Sequence, residues 1–419
     1  MTYLEAVDVL FTKLPMFQRS GPAAYKANLD GTRAVCKLLD NPENDLKFIH
    51  VAGTNGKGTV SHMVAAVLQK AGYKTGLFTS PHLVDFRERI RLNGDKIPEY
   101  KVVDFVEKYS ESWGKPSFFE LTFGMALQYF KDECANIVIL ETGMGGRLDS
   151  TNAIPTAEIC AITNIGLDHT QFLGDDISSI AIEKAGIIKN DVPVVLGKMR
   201  PEAQSEILKA SLRASSEMHY GRIVPENLID LVDSPFAFEN IATAVKIIDV
   251  LRGRGWIITK KSEREGFQHY KEITGQWGRW QTIPPAENLS EILIDCAHNV
   301  DGMRVLFDSL SQQHPGTQLH IVFGTVADKN PFKVLELIPK NSIMYWCSAK
   351  VVRSMGTEYL QNHGLDSGLS GEVYRSVSEA VTAARTAVYS LNLELDQKAM
   401  SIVCGSVYVV GEVVEFAKS

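Results

Sequence analysis

The sequence predicts an α/β protein of two domains, each built on a mainly parallel sheet, and three observations carry that prediction. Short β-rich stretches alternate with longer helical patterns through most of the chain, the rhythm expected when parallel strands are joined by helical crossovers. A glycine-rich loop lies between one predicted strand and the helix that follows it. The 419 residues are nearly three times a typical domain length of about 150, which favours more than one core.

Taken in order, the strand candidates of the first half are LKFIHVAG (46–53), KTGLFTS (74–80), NIVILETG (136–143), EICAITNIG (158–166) and PVVLG (193–197). Thr59 to Ala71 reads as a helix between the first two, and Glu120 to Lys131 as another before the third. Three of these strands run into polar or glycine-rich loops, where an open α/β sheet places its ligands. Helical periodicity returns from Glu239 to Leu251. It gives way to GQWGRWQTIPPAENL (275–289), in which Pro284 and Pro285 follow strand-like Gln281 to Ile283 and remove backbone donors. A boundary is expected there, giving domains of residues 1–285 and 286–419. The second part restarts the pattern with EILIDCAHN, LHIVFGTVADK, SIMYWCSA and MSIVCGSVYVVGE as its strand-bearing segments, interleaved with helical stretches such as Val377 to Tyr389.

Composition narrows the function class. Hydrophobic residues make up 45% and charged residues 22%, which is ordinary for a folded soluble chain. Forty-three basic against fifty acidic residues leave a net charge of −7, which supplies no general attraction to nucleic acid or anionic membrane. The start, MTYLEAVDVLFTKL, lacks a basic segment followed by an apolar run, and no apolar stretch approaches a membrane span. The six cysteines are isolated, without Cys-x-x-Cys spacing or a neighbouring histidine pattern, and read as core thiols. A reducing cytoplasm fits that reading.

The segment HVAGTNGKGTV (50–60) carries the chemistry. Successive backbone N–H groups and a helix N-terminus can surround phosphate oxygens there. Gly53, Gly56 and Gly58 allow close or left-handed passage, Lys57 brings a mobile positive charge, and Thr59 can set a hydroxyl near a divalent ion. A strict Walker A pattern would place Ser or Thr directly after Gly-Lys, and Gly58 intervenes here.

The chain resembles the folylpolyglutamate synthase and dihydrofolate synthase family, within the wider group of ATP-dependent Mur ligases. The resemblance rests on ordered blocks: HVAGTNGKGTVSHM (50–63), TSPHLVDFRERI (79–90), FFELTF (118–123), ETGMGGRLDSTN (141–152), ITNIGLDHTQFLG (162–174), IAIEKAGIIK (180–189) and DCAHN (295–299). It implies an N-terminal P-loop ATPase domain of the Mur-ligase type, a smaller Rossmann-like C-terminal domain, and catalysis in the cleft between them. By the same resemblance, Asn55, Gly56, Lys57, Gly58 and Thr59 bind ATP with Asn240, Arg279 and Asp295. Ser80, Glu141 and His169 hold magnesium, with two metal sites expected. Magnesium prefers oxygen ligands, which suits Glu141 better than His169 on chemistry alone. Lys184 matches a family lysine that becomes a carbamate, turning a cation into an oxygen-rich anion. His298 is expected near the phosphate or acyl phosphate. Arg89, Phe118, Phe119, Glu120, Leu148, Asp149 and Ser150 match the pteroate or folate pocket.

The implied reaction is ATP-dependent joining of L-glutamate to dihydropteroate and to reduced folates through an acyl phosphate, in a cytoplasmic monomer without a protein nucleophile. A strict folylpolyglutamate synthase is the near alternative. A Mur ligase acting on a cell-wall precursor and an ATP-controlled interaction protein without activity are the others.

Overall fold

The computed structural model describes residues 1–15, 28–232, 235–327, 330–394 and 398–418. Its contacts divide the chain into two units, Met1–Gln276 and Trp277–Ser419, each with its own sheet.

The strands of the first unit are β1 (Phe48–Ala52), β2 (Thr75–Phe78), β3 (Ile90–Leu92), β4 (Asp95–Lys96), β5 (Ile137–Glu141), β6 (Ile159–Ile162), β7 (Val194–Leu196) and β8 (Met218–Tyr220). They lie in the order β4-β3-β2-β5-β1-β6-β7-β8. Neighbours from β2 to β8 are parallel, and β3 and β4 extend the β2 edge as an antiparallel hairpin. Its two turn residues, Asn93 and Gly94, both have positive φ, the backbone that matches strand twist in a two-residue turn.

Side chains of the central strands alternate between two cores. Ile49, Val51, Ile137, Ile139, Ile159 and Ala161 face one side, where the helix Lys57–Lys70 adds Val60, Val64 and Val67. Phe48, Ala52, Val138, Leu140, Cys160 and Ile162 face the other, where the helix Phe118–Asp132 adds Leu121, Phe123 and Leu127. The helix Pro235–Gly253 packs on the first side through Ile241, Ala244 and Ile248. With both faces covered, ligand access is left to the strand ends. β1 lies between β5 and β6; from β1 the chain crosses past β5 to β2, and from β5 it crosses the other way past β1 to β6. The carboxyl end of β1 is therefore a topological switch point, where open α/β sheets form a crevice.

The second unit carries β9 (Gln281–Ile283), β10 (Ile292–Ile294), β11 (Gln318–Phe323), β12 (Ile343–Trp346), β13 (Ser370–Val373) and β14 (Ala399–Cys404), in the order β13-β12-β11-β14-β10-β9. All pairs are parallel except β9 with β10. One side of this sheet buries Leu293, Ile321, Phe323, Met344, Trp346 and Ile402.

The α/β class and the two-sheet organisation agree with expectation, and two details differ. The division falls before residue 277, because Gln281–Ile283 pairs with β10 and the Arg385 guanidinium binds the carbonyls of Pro284 and Ser290 at 2.7 and 2.6 Å. The two prolines follow an edge strand within the second unit. The end of MSIVCGSVYVVGE is helical from Val407, since its valines bury on one side of the helix Val407–Lys418. Asp328 and Lys329, at the end of the segment containing β11, lie outside the described residues. Five cysteines are buried thiols as expected, whereas Cys134 is exposed.

Candidate active site

The loop after β1 is held from β6. Thr54 N–H donates to the Asn164 carbonyl at 3.0 Å, Asn55 N–H to Asn164 Oδ1 at 2.8 Å, and Thr163 Oγ1 donates to the Asn55 carbonyl at 2.6 Å. Gly56 has φ +82°, and a Cβ there would sit 2.3 Å from Asn240 Oδ1, so the expected ATP-binding residues Gly56 and Asn240 meet. A Cβ on Gly53 would come within 1.9 Å of Thr163 Oγ1. Gly53→Ala is therefore expected to distort the loop and weaken ADP binding by at least about tenfold, read by titration calorimetry, because phosphate recognition depends on aligned N–H groups. Lys57 opens the helix Lys57–Lys70, with Gly58 and Thr59 in its first turn, so its N-terminal dipole faces the loop. Thr59 Oγ1 accepts from Gln276 Nε2 at 3.4 Å.

Two lysines converge on one carbonyl. Lys57 Nζ donates to Gly53 O at 3.0 Å and to Thr54 O at 3.2 Å, while Lys184 Nζ donates to the same Gly53 O at 2.8 Å. Lys184 comes from the helix Ile177–Ala185 and is buried. Desolvation, with the positive charge of Lys57, lowers its ammonium to about 7. A substantial neutral fraction near pH 7 is what reaction of the amine with carbon dioxide requires. Conversion to a carbamate would also replace repulsion from Lys57 by attraction.

Of the residues expected at magnesium, Ser80 and Glu141 meet. Glu141 ends β5 and is buried at 5% exposure. Its Oε2 accepts the Ser80 N–H at 3.0 Å, and a Cβ on Gly58 would lie 3.4 Å from its Oε1, so the carboxylate stands against the start of the phosphate-loop helix. A buried carboxylate at a helix N-terminus, beside a serine, offers oxygen donors in a site that a divalent ion would neutralise. His169 lies on the loop after β6, as the left-handed residue preceding Thr170–Leu173.

Four of the expected pteroate residues, Phe119, Leu148, Asp149 and Ser150, lie at a second turn. A Cβ on Gly143 would sit 2.7 Å from Phe119 Cζ and 3.2 Å from Asp149 Oδ2, so that ring and carboxylate flank the glycine. Asp149 is buried and accepts Met144 N–H at 2.8 Å and Thr151 N–H at 3.0 Å; desolvation raises its carboxyl, and these donors oppose the rise. Ser150 is buried and Leu148 half-buried beside it. Phe118 is buried beneath Arg89, whose guanidinium carbon lies 5.2 Å from the ring centroid. Two expected ligand contacts have internal partners. Arg89, 2% exposed, donates through Nε to His82 Nδ1 at 2.7 Å. Glu120 caps its own helix, accepting Ser117 N–H at 2.5 Å in a capping box.

In the second unit, Asp295 follows β10 and accepts Trp280 N–H and Ala297 N–H, each at 2.8 Å. Burial raises its carboxyl, and the charges of Arg279 and His298 oppose that rise. The His298 imidazole lies 2.8 Å from the Cys296 carbonyl through Nδ1, so Nδ1 carries a proton and donates. Arg279 and His298 thus stand within electrostatic range of Asp295.

Sequence reasoning passed over Thr163 and Asn164, which brace the phosphate loop, and His50 and Thr151, which lie behind Asp149. All four stand inside the blocks quoted above. For His50, Thr163 and Asn164 the signal was polarity within or just after an apolar strand, whereas Thr151 lies in the short helix Ser150–Ala153.

The Mur ligase middle domain matches residues 51–217, and the Mur ligase glutamate ligase domain matches residues 278–406. An Escherichia coli (strain K12) protein named dihydrofolate synthase/folylpolyglutamate synthase is 31% identical, covering 87% of this chain and 85% of its own. A Haloferax volcanii protein named "Probable bifunctional folylpolyglutamate synthase/dihydropteroate synthase" is 30% identical over 98% of this chain, which spans only 50% of that relative. Among solved structures, Mycobacterium tuberculosis folylpolyglutamate synthase complexed with ADP and AMPPCP gives a TM-score of 0.85 at 25% identity, covering 100% of this chain and 98% of that one. Escherichia coli FolC with DHPP and ADP gives 0.81 at 28%, with the same coverage. The bifunctional Yersinia pestis enzyme with AMPPNP and a Mn ion gives 0.80 at 26%, again over 100% and 98%. Spanning most of the E. coli relative at this identity, the chain belongs to the folylpolyglutamate synthase/dihydrofolate synthase family of Mur ligases.

Proposed function

We propose that this protein is an ATP-dependent ligase that joins L-glutamate to dihydropteroate and extends reduced folates with further glutamates. The observation that carries the reading is the switch-point loop, where Lys57 and Lys184 meet at Gly53 O and Glu141 stands against the helix start. That arrangement suits a polyphosphate and a divalent ion. The turn around Phe119 and Asp149 offers a stacking face and an anion for a pteridine with adjacent N–H donors.

Carboxylates are poor acylating groups until an oxygen becomes part of a good leaving group. Loop N–H groups and Lys57 hold the terminal phosphate of ATP while a substrate carboxylate oxygen attacks phosphorus, giving an acyl phosphate and ADP. The glutamate amine then attacks the acyl carbon, loses a proton and expels phosphate. Ser80, Glu141 and His169 would hold magnesium, which neutralises charge on the transferring phosphoryl group. Lys184 as a carbamate would add oxygen donors beside Gly53. We assign Asn240, Arg279 and Asp295 to nucleotide contacts and His298 to the acyl-phosphate region.

Six free cysteines suit a reducing cytoplasm, and none of the described helices is long and apolar enough to cross a membrane. We assign the protein to that compartment as a monomer.

Product-resolved mass spectrometry with ATP, magnesium and L-glutamate tests the reading on dihydropteroate and several reduced folates. Glutamyl products from both classes are expected. Extension of folates alone would reduce the protein to a folylpolyglutamate synthase, and product from neither would overturn the ligase proposal.

A further inference from the structure

A buried hydrogen-bond chain links β1 to the turn around Asp149. His50 is fully buried at the centre of β1, on the same side as Phe48 and Ala52. Its Nε2 lies 2.8 Å from Thr151 Oγ1, and that hydroxyl lies 2.5 Å from Asp149 Oδ1. Oδ1 also accepts Thr151 N–H at 3.0 Å, while Oδ2 accepts Met144 N–H at 2.8 Å.

The directions of these bonds follow from the groups. An ionised carboxylate only accepts, so Thr151 gives its hydroxyl proton to Asp149. The Thr151 oxygen must then accept from His50, which places the imidazole proton on Nε2 and leaves Nδ1 bare. His50 Nδ1 is buried without a hydrogen-bond partner among the described residues, in agreement with that tautomer. Burial, with the nearby charge of Lys189, pushes the imidazole down to about 3, so the ring remains neutral.

A buried ring nitrogen without a partner costs stability, and an aliphatic side chain at this position of β1 would avoid that cost. The imidazole is therefore better explained by what its other nitrogen holds. Asp149 ties Met144 to Thr151 across the glycine-rich turn, and Gly143 within that turn stands against the Phe119 ring. We propose that His50 and Thr151 are positioning residues for the acceptor pocket, orienting the Asp149 carboxylate and the 143–151 turn for pteroate binding without acting on ATP. The inference rests on the pteroate reading above and adds two residues to it.

Steady-state kinetics of the full chain, with melting temperatures alongside, test it. Thr151→Val and His50→Leu remove one donor each. Each is expected to raise KM for dihydropteroate by about tenfold, the effect of losing one buried hydrogen bond, with KM for ATP within about twofold of wild type. Thr151→Ser keeps the hydroxyl, and His50→Gln presents an N–H at the same distance along the side chain; both should restore most of the affinity. A merely structural role would lower the melting temperature and move both KM values together, and that result overturns the proposal. So does an unchanged KM for dihydropteroate in Thr151→Val. If wild type extends folates but not dihydropteroate, KM for the folate is read in its place. Wild-type protein inactive on every acceptor would sink the ligase reading and this inference with it, whereas active wild type with unselective variants would sink this inference alone.

Discussion

Lys57→Ala is expected to lower glutamate-dependent phosphate release by about two to three orders of magnitude, the usual effect of removing one charge-stabilising donor from a transferring group. The ammonium is folded over the loop, shared between the Gly53 and Thr54 carbonyls. Both acceptors are backbone carbonyls that water can reach once the side chain is gone, so the melting temperature should change little. A phosphate entering the loop offers the same ammonium a full counter-charge, and the variant should lose affinity for ATP more than for dihydropteroate. Lys57→Arg is a poor substitute, because a planar fork cannot occupy the compact position of an ammonium between two carbonyls. Lys57 also helps hold Lys184 below its ordinary range, so the alanine variant should leave Lys184 more fully protonated. Unchanged turnover in folded Lys57→Ala would remove the lysine from the mechanism.

The parts of this architecture legible from sequence were those fixed by local chemistry. β1, β2, β5, β6 and β7 each fall inside an apolar stretch read as a strand, because burial on both faces demands unbroken hydrophobic runs. The glycine-rich loop was legible for the same reason, since Gly56 has a backbone that few other residues accept. What escaped depends on distant partners or on competing signals. The β3–β4 hairpin has strands of only three and two residues, and its Asn93-Gly94 turn was the one local clue. The tail from Val407 has strand-favouring composition but packs as a helix, a case of tertiary packing overriding propensity. Glu120 was assigned to the ligand although Ser117 stands three residues earlier as a capping partner. The His50–Thr151 bond spans 101 positions, and no local pattern announces it.

Replacing Lys184 should separate catalysis from stability. Lys184→Met removes the amine and is expected to reduce ligation by at least about a hundredfold, comparable to loss of a charge-stabilising group. If the active form is a carbamate, wild-type activity should fall in carbon-dioxide-depleted buffer and return with bicarbonate, while Lys184→Met responds to neither. A wild-type rate indifferent to bicarbonate would reject the modification. Stability should move the other way. In carbon-dioxide-free buffer the folded-state ammonium lies near 7 against an ordinary value of 10.5. Between those two pH values the unfolded chain binds more protons, so wild-type stability gains a contribution that rises with pH through that window. Below pH 7 the cost of burying the charge is fully present, and Lys184→Met should be the more stable protein there by denaturant unfolding. The difference should close as pH approaches 10.5, where the amine is neutral in both states. A difference independent of pH would mean that Lys184 is not held as a buried amine beside Gly53, and the argument for its carbamate would lose its physical basis.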